Sequence, residues 1–201
     1  MCIRDRDIAG LVAKVKSELG SVDILVNNGV SFNVGTLTDD DWLHHFTVKV
    51  HGYRRAMEAV LPGMIEAGWG RVINVAGLAA RQSGLGQAIN GSTAGATNAA
   101  IANISKGVSD AVAKSGVTVN VVHPGATDTD RHAINMARTQ EVRGISHEEA
   151  EAATVAGIPI GRMIQPEEVA AMITFYCSQQ ASAITGQTIG VDGGAVRGVT
   201  Y

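Results

Sequence analysis

Apolar residues recur along this chain in two alternating patterns, and the alternation predicts an α/β domain. The clearest stretch is 94–125, AGATNAAIANISKGVSDAVAKSGVTVNVVHPG. Thr97, Ala100, Ile101, Ile104, Val108, Ala111 and Val112 fall at three- and four-residue steps, one stripe of a 3.6-residue period. A helix is therefore predicted, with Gly116 at its C-terminal stop. The following run, Val117 to Val122, is too apolar on both faces for an edge strand and suits a covered parallel sheet. It ends at the turn Pro124-Gly125.

The same alternation extends to both sides. Ile8, Leu11, Val12, Val15 and Leu19 mark a first helix closed by Gly20, and a short strand from Val22 ends in Asn27-Asn28-Gly29. Thr38 with three aspartates behind it predicts a helix start, since the hydroxyl caps free amides and the acids suit the positive end of the macrodipole. That helix turns Trp42, Leu43, Phe46, Val50, Tyr53, Met57, Val60 and Leu61 inward and is expected to break near Pro62-Gly63. Arg71 to Ala76 is the next buried strand, and 77–93 a loop. After Gly125 comes a long irregular stretch, with a capping box of Ser146 and Glu149 opening a short helix through Val155. Pro166 opens a last helix through Cys177, and Thr188 to Val191 forms a final strand before Asp192-Gly193-Gly194. Helix and strand thus alternate four times, which specifies a parallel sheet with helices on both faces.

Length and composition narrow the picture further. The 201 residues suit one domain, 1–201, and the charged, aperiodic segment 1–7 reads as a junction or non-native piece. A net charge of −3 gives no footprint for binding nucleic acid, and no apolar run approaches the roughly 18 residues of a membrane span. Cys2 and Cys177 lack metal-ligand spacing, so no metal site is expected, and reduced thiols in a cytoplasmic setting are the default.

With Asn27-Asn28-Gly29 at a strand end, Val72 to Val75 as a strand, Pro124-Gly125 with Thr129, and the closing Ile184-Thr-Gly-Gln and Val191-Asp-Gly-Gly194, the chain from residue 8 onward resembles the short-chain dehydrogenase/reductase family. The resemblance implies a Rossmann-like fold, NAD or NADP as cofactor, and a small-molecule alcohol or ketone as substrate. It also implies cofactor contacts at Asn27, Gly29, Pro124, Gly125 and Thr129. The family pattern begins with a strand, a Gly-rich turn and a helix that hold the pyrophosphate. Gly84-Leu85-Gly86 is the nearest imitation, in the wrong order, so the chain is expected to be a fragment lacking the N-terminal βαβ half, with cofactor binding in doubt.

The family's catalytic set is the second departure. Its Tyr and Lys stand at i and i+4 on the central helix, where the phenol exchanges a proton with the substrate oxygen and the Lys lowers the phenol's pKa and holds the nicotinamide ribose. Counted back from Pro124, those positions are Ala94 and Asn98. A register with Asn90 in the Tyr place puts Ala94 in the Lys place. The Ser that bonds the substrate oxygen falls on Gly77, and the Asn of the proton relay on Lys49. None of Tyr53, Tyr176 and Tyr201 has a Lys four residues later. Lacking a general acid, the chain is expected to be a pseudoenzyme toward carbonyl reduction. The alternatives are a non-catalytic scaffold or binding protein working as a homodimer or homotetramer, and a truncated product without selected function.

Other polar residues carry weaker signals. Ser83 and Ser92 flank the vacant site but suit turn and capping roles. His44, His45 and His51 read as solvated or interface histidines, and His147 as part of a helix first turn. His123, at a strand end where α/β sheets bind ligands, is open to either a ligand contact or a structural role.

Overall fold

The computed structural model describes residues 5–31, 37–81 and 93–198. Its elements are α1 (Asp5–Leu19), β1 (Ile24–Asn27), α2 (Asp39–Phe46), α3 (Gly52–Ala67), β2 (Gly70–Val75), α4 (Ala94–Val112), β3 (Val117–Pro124), α5 (Asp130–Arg143), α6 (His147–Val155), α7 (Pro166–Cys177) and β4 (Thr188–Val191). The four strands are parallel in the order β1-β2-β3-β4. The Rossmann-like α/β expectation therefore holds for the described residues.

Two apolar cores lie on opposite faces of this sheet, because successive strand side chains point to opposite sides. Val72 joins Met57, Val60 and Met64 of α3, Val112 of α4 and Val12 of α1. Its neighbour Ile73 joins Val169, Met172 and Tyr176 of α7 with Val122 and Ile189. Every residue of β2 is buried. This strand carries the site, and both cores fix it.

Local chemistry set most of the ends. Thr38 caps α2 through the backbone amide of Asp41, whose carboxylate answers the Thr38 amide. Ser146 and Glu149 make the same reciprocal pair at α6. Gly116 has φ +74, and a Cβ there would lie 2.2 Å from the Gly68 carbonyl oxygen, so the turn into β3 requires glycine. Arg71, 2% exposed, donates to the Gly70 and Gly116 carbonyls and stacks on Trp69 beside that turn.

Several expectations need correction. Pro62 does not end its helix, which runs on to Ala67 and stops at the left-handed Gly68. Leu43 points outward at 65% exposure. The stretch after Gly125 is not irregular: it holds the 14-residue α5, capped by Thr129. Its apolar stripe is too sparse to show in the sequence, with Met136 buried and Ile134 exposed. On α4 the buried face runs through Thr97, Asn98, Ile101, Ser105, Ser109 and Val112, so small polar residues replace part of the predicted aliphatic stripe.

One of those polar residues closes a buried network. Asn74, fully buried in β2, accepts from the Asn27 amide of β1 at 2.8 Å and donates to Ser105 Oγ of α4 at 2.8 Å. Ser105 in turn donates to the Ile101 carbonyl. Two strands and a helix are thus tied by buried side chains, where a lost partner carries most of the desolvation penalty. Asn74→Leu is expected to cost about 2 kcal/mol in urea denaturation, by stranding the Asn27 amide. A change within a few tenths of a kcal/mol would show that the network contributes nothing.

Candidate active-site pocket

The pocket forms where β2 ends. A cavity of about 320 Å³ opens between α2, α3, the start of α4 and the turn after β3. The helix that begins at Thr38 does not run straight past it. Residues Thr47–His51 form a single π-helical turn, an insertion that re-aims side chains and is common at functional sites. Lys49 and Val50 are both buried by it, and Lys49 faces the cavity.

Lys49 is 7% exposed, and its Nζ donates a long hydrogen bond of 3.4 Å to the Ala76 carbonyl. The ammonium lies 5.7 Å from the centre of the Tyr53 ring. It has no carboxylate partner among the described residues. Burial pushes its pKa down to about 8, because a desolvated ammonium is disfavoured against the neutral amine. Lys49 and Tyr53 stand at i and i+4, the family's spacing in reversed order, and this pairing was missed in the sequence.

Tyr53 cannot stand in for the missing phenol. Its hydroxyl is shared between the carbonyls of Gly29 and Val75, each at 3.0 Å. Burial holds its pKa above the ordinary tyrosine range. The proton is locked into strand and loop backbone, so this residue braces the pocket wall.

The opposite wall is α4. Ala94 and Asn98 both line the cavity, as does Thr97 between them. Asn90 of the other register, Ser83, Ser92 and the Gly84-Leu85-Gly86 run lie outside the described residues. Asn98 is 5% exposed and packs against Gly77: a Cβ on Gly77 would lie 2.8 Å from Asn98 Nδ2. The space for a serine side chain is thus occupied by the neighbouring amide. Asn98 Oδ1 is buried without a hydrogen-bond partner.

Histidines complete the walls. His123 is 1% exposed, and its Nδ1 accepts from the Gly77 backbone amide at 3.1 Å. Burial brings its pKa to about 4, so it is neutral near pH 7 and holds the backbone beneath the cavity. His45 corrects the expectation of a solvated or interface residue: it is 4% exposed, lines the cavity and pairs with Thr93 Oγ1 at 2.8 Å.

The five residues expected to contact cofactor are divided by the structure. Pro124 and Gly125 line the cavity. Asn27 and Gly29 line a second, apolar hollow of about 390 Å³ between α1, β1 and α3, with the Asn27 amide engaged by Asn74 and the Gly29 carbonyl by Tyr53. Thr129 caps α5, accepting from the His132 amide, and is not among the residues lining either space. The residues at the four positions that the resemblance marks as catalytic, Lys49, Gly77, Ala94 and Asn98, all line the first cavity.

Comparison with known proteins agrees with this geometry. A family model described as enoyl-(acyl carrier protein) reductase matches residues 3–196. The chain is 34% identical over 194 residues to the NADPH-dependent reductase BacG of Bacillus subtilis, covering 95% of this chain and 73% of that one. It is 33% identical over 195 residues to the 3-oxoacyl-(acyl-carrier-protein) reductase FabG of Vibrio harveyi, covering 94% and 73%. Among solved structures, an actinorhodin polyketide ketoreductase with NADPH superposes with a TM-score of 0.89 at 32% identity, over 97% of this chain and 75% of that one. The NADPH-dependent reductase YwfH, involved in bacilysin biosynthesis, gives 0.86 at 32%, over 98% and 75%. With a family model over residues 3–196, sequence identities of 34% and 32% and a closely superposing fold in agreement, this chain belongs to the short-chain dehydrogenase/reductase family.

Proposed function

We propose that this chain keeps the carbonyl- or alcohol-binding pocket of an NAD(P)-dependent oxidoreductase but does not perform ordinary carbonyl reduction. The observation that carries this reading is the α4 wall. Ala94 offers no proton where the family's phenol stands, and Asn98 fills the space beside Gly77 from which a serine would bond the substrate oxygen. General acid–base groups contribute about 10²- to 10⁴-fold each, so the loss is large.

NAD or NADP remains the cofactor class that the family and its NADPH-dependent relatives support. The residues present do not fit a nicotinamide nucleotide poised for hydride transfer. The position that would hold its ribose carries a neutral amide, with Nδ2 turned onto Gly77 and Oδ1 buried and unpaired. Among the described residues no Gly-rich strand-to-helix turn presents backbone amides to a pyrophosphate. No hydride step is therefore derived.

What this chain's residues can do is bind and polarise. Lys49 faces a cavity able to hold a small polar molecule; Thr97 lines it too, but its hydroxyl donates to the Thr93 carbonyl, and apolar Leu78, Ala79 and Val30 line the rest. A carbonyl oxygen is the group the Lys49 ammonium suits. Among the described residues no carboxylate pairs with Lys49, and its hydrogen bond to the Ala76 carbonyl is long, so the ammonium can turn to a ligand.

A second reading, a non-catalytic scaffold or binding protein acting as a homodimer or homotetramer, is favoured by one observation. The β1 edge and α1 expose apolar side chains, with Ile24 at 44%, Val26 at 42% and Leu11 at 58%. A defined dimer or tetramer with a cooperative melt supports this reading, and a monodisperse monomer contradicts it. For the main reading, a panel of ketones with NADH or NADPH is expected to give no steady turnover above a no-enzyme control. Sustained oxidation of either nucleotide that depends on the ketone would refute it.

A further inference from the structure

We infer that Lys49 is a nucleophilic amine, and that the cavity at the end of β2 captures small aldehydes or ketones as a Schiff base on its Nζ. The inference rests on reading the cavity as a carbonyl site, but it needs no nicotinamide nucleotide. It begins from the placement of the side chain. Lys49 is the one lysine among the described residues that is buried, while Lys14 and Lys106 have side chains 69% and 58% exposed. The π-helical turn delivers it into a cavity of about 320 Å³.

The environment suits an amine that must lose its proton. Nearly every surface lysine is held charged by water, and a buried one is usually neutralised by a carboxylate. Lys49 has neither. Its hydrogen-bond partner is the Ala76 carbonyl at 3.4 Å, a weak tie that a reacting carbon can replace, and its Nζ stands 5.7 Å from the centre of the Tyr53 ring. With a pKa of about 8, roughly a quarter of the amine is neutral at pH 7.5, against about 0.1% for an ordinary lysine. That is a gain of about 240-fold in the reactive form. A desolvated lysine in a partly apolar pocket is a known way to activate an amine toward carbonyl groups.

The chemistry balances without an oxidant or reductant. The Lys49 nitrogen lone pair forms a bond to the carbonyl carbon as the C=O π bond breaks. One nitrogen proton passes to the oxygen, giving a neutral carbinolamine. The oxygen, protonated once more by solvent, then leaves as water as the C=N bond forms, and the iminium returns a proton to solvent. The net change is one carbonyl compound bound and one water released.

The test uses the intact wild-type chain, propionaldehyde as probe and sodium cyanoborohydride to reduce any C=N bond to a stable secondary amine, at pH 7.5 without nicotinamide nucleotide. Peptide mass mapping locates the added propyl group. Lys49 is expected to label at least tenfold faster than Lys14, Lys16, Lys106 and Lys114, and the preference is expected to vanish in denaturing urea. Labelling at the exposed lysines with Lys49 unmodified, or equal rates at all five, overturns the inference. Turnover in the ketone and nicotinamide assay would instead overturn the reading of an inactive reductase, so the two failures are told apart.

Discussion

Three consecutive backbone units at the end of β2 hold this structure's site together. The Val75 carbonyl accepts from Tyr53, the Ala76 amide donates to Val122 in the sheet and its carbonyl accepts from Lys49, and the Gly77 amide donates to His123. Asn98 packs onto Gly77 from the other side. Four elements therefore meet on a strand end that two apolar cores already immobilise. Loops that carry sites need such a rigid base, and here it comes from burial and complete pairing of backbone groups.

That convergence has an energetic tension at its centre. Tyr53 and His123 are satisfied by backbone and stay neutral near pH 7, at little cost to the fold. Lys49 is not in the same position. Its pKa in the folded chain is about 8, below the ordinary 10.5, so holding the charge costs stability at all pH values below about 8. The penalty fades as pH rises from about 8 to 10.5, where the unfolded chain also loses the proton. A residue that destabilises its own fold and lines a cavity has the signature of a functional group rather than a packing one.

How much of this was legible in the sequence follows from which signals are local. Capping residues such as Thr38 and Ser146 marked their helices, Gly116 marked a turn, and Pro166 to Cys177 had the observed bounds of α7. The four positions that the resemblance marks as catalytic were placed by counting from Pro124, from Val75 and from the Val50-His51-Gly52 run, and their residues share one cavity. What escaped depends on tertiary context. α5 has too few buried residues for a periodic stripe, and Ser105 and Ser109 are buried because α4 lies close to the sheet, which hydropathy does not encode. The π-helical turn is one residue out of α-helical phase, so the inward aim of Lys49 and its pairing with Tyr53 could not be read from a regular helix. His45 looked solvated because its partner, Thr93, lies 48 positions away.

The account stands or falls on the state of one amine. Selective ¹³C labelling of lysine side chains, with Lys49→Arg to assign its signal, allows the Lys49 Nζ titration to be followed by NMR in the folded chain. A midpoint near 8, with the exposed lysines titrating at their usual higher values, is the predicted result. A Lys49 midpoint at or above about 10 would mean that the ammonium is solvated or paired, and would contradict the reading of this pocket as one that has exchanged the family's proton-donating phenol for an activated lysine.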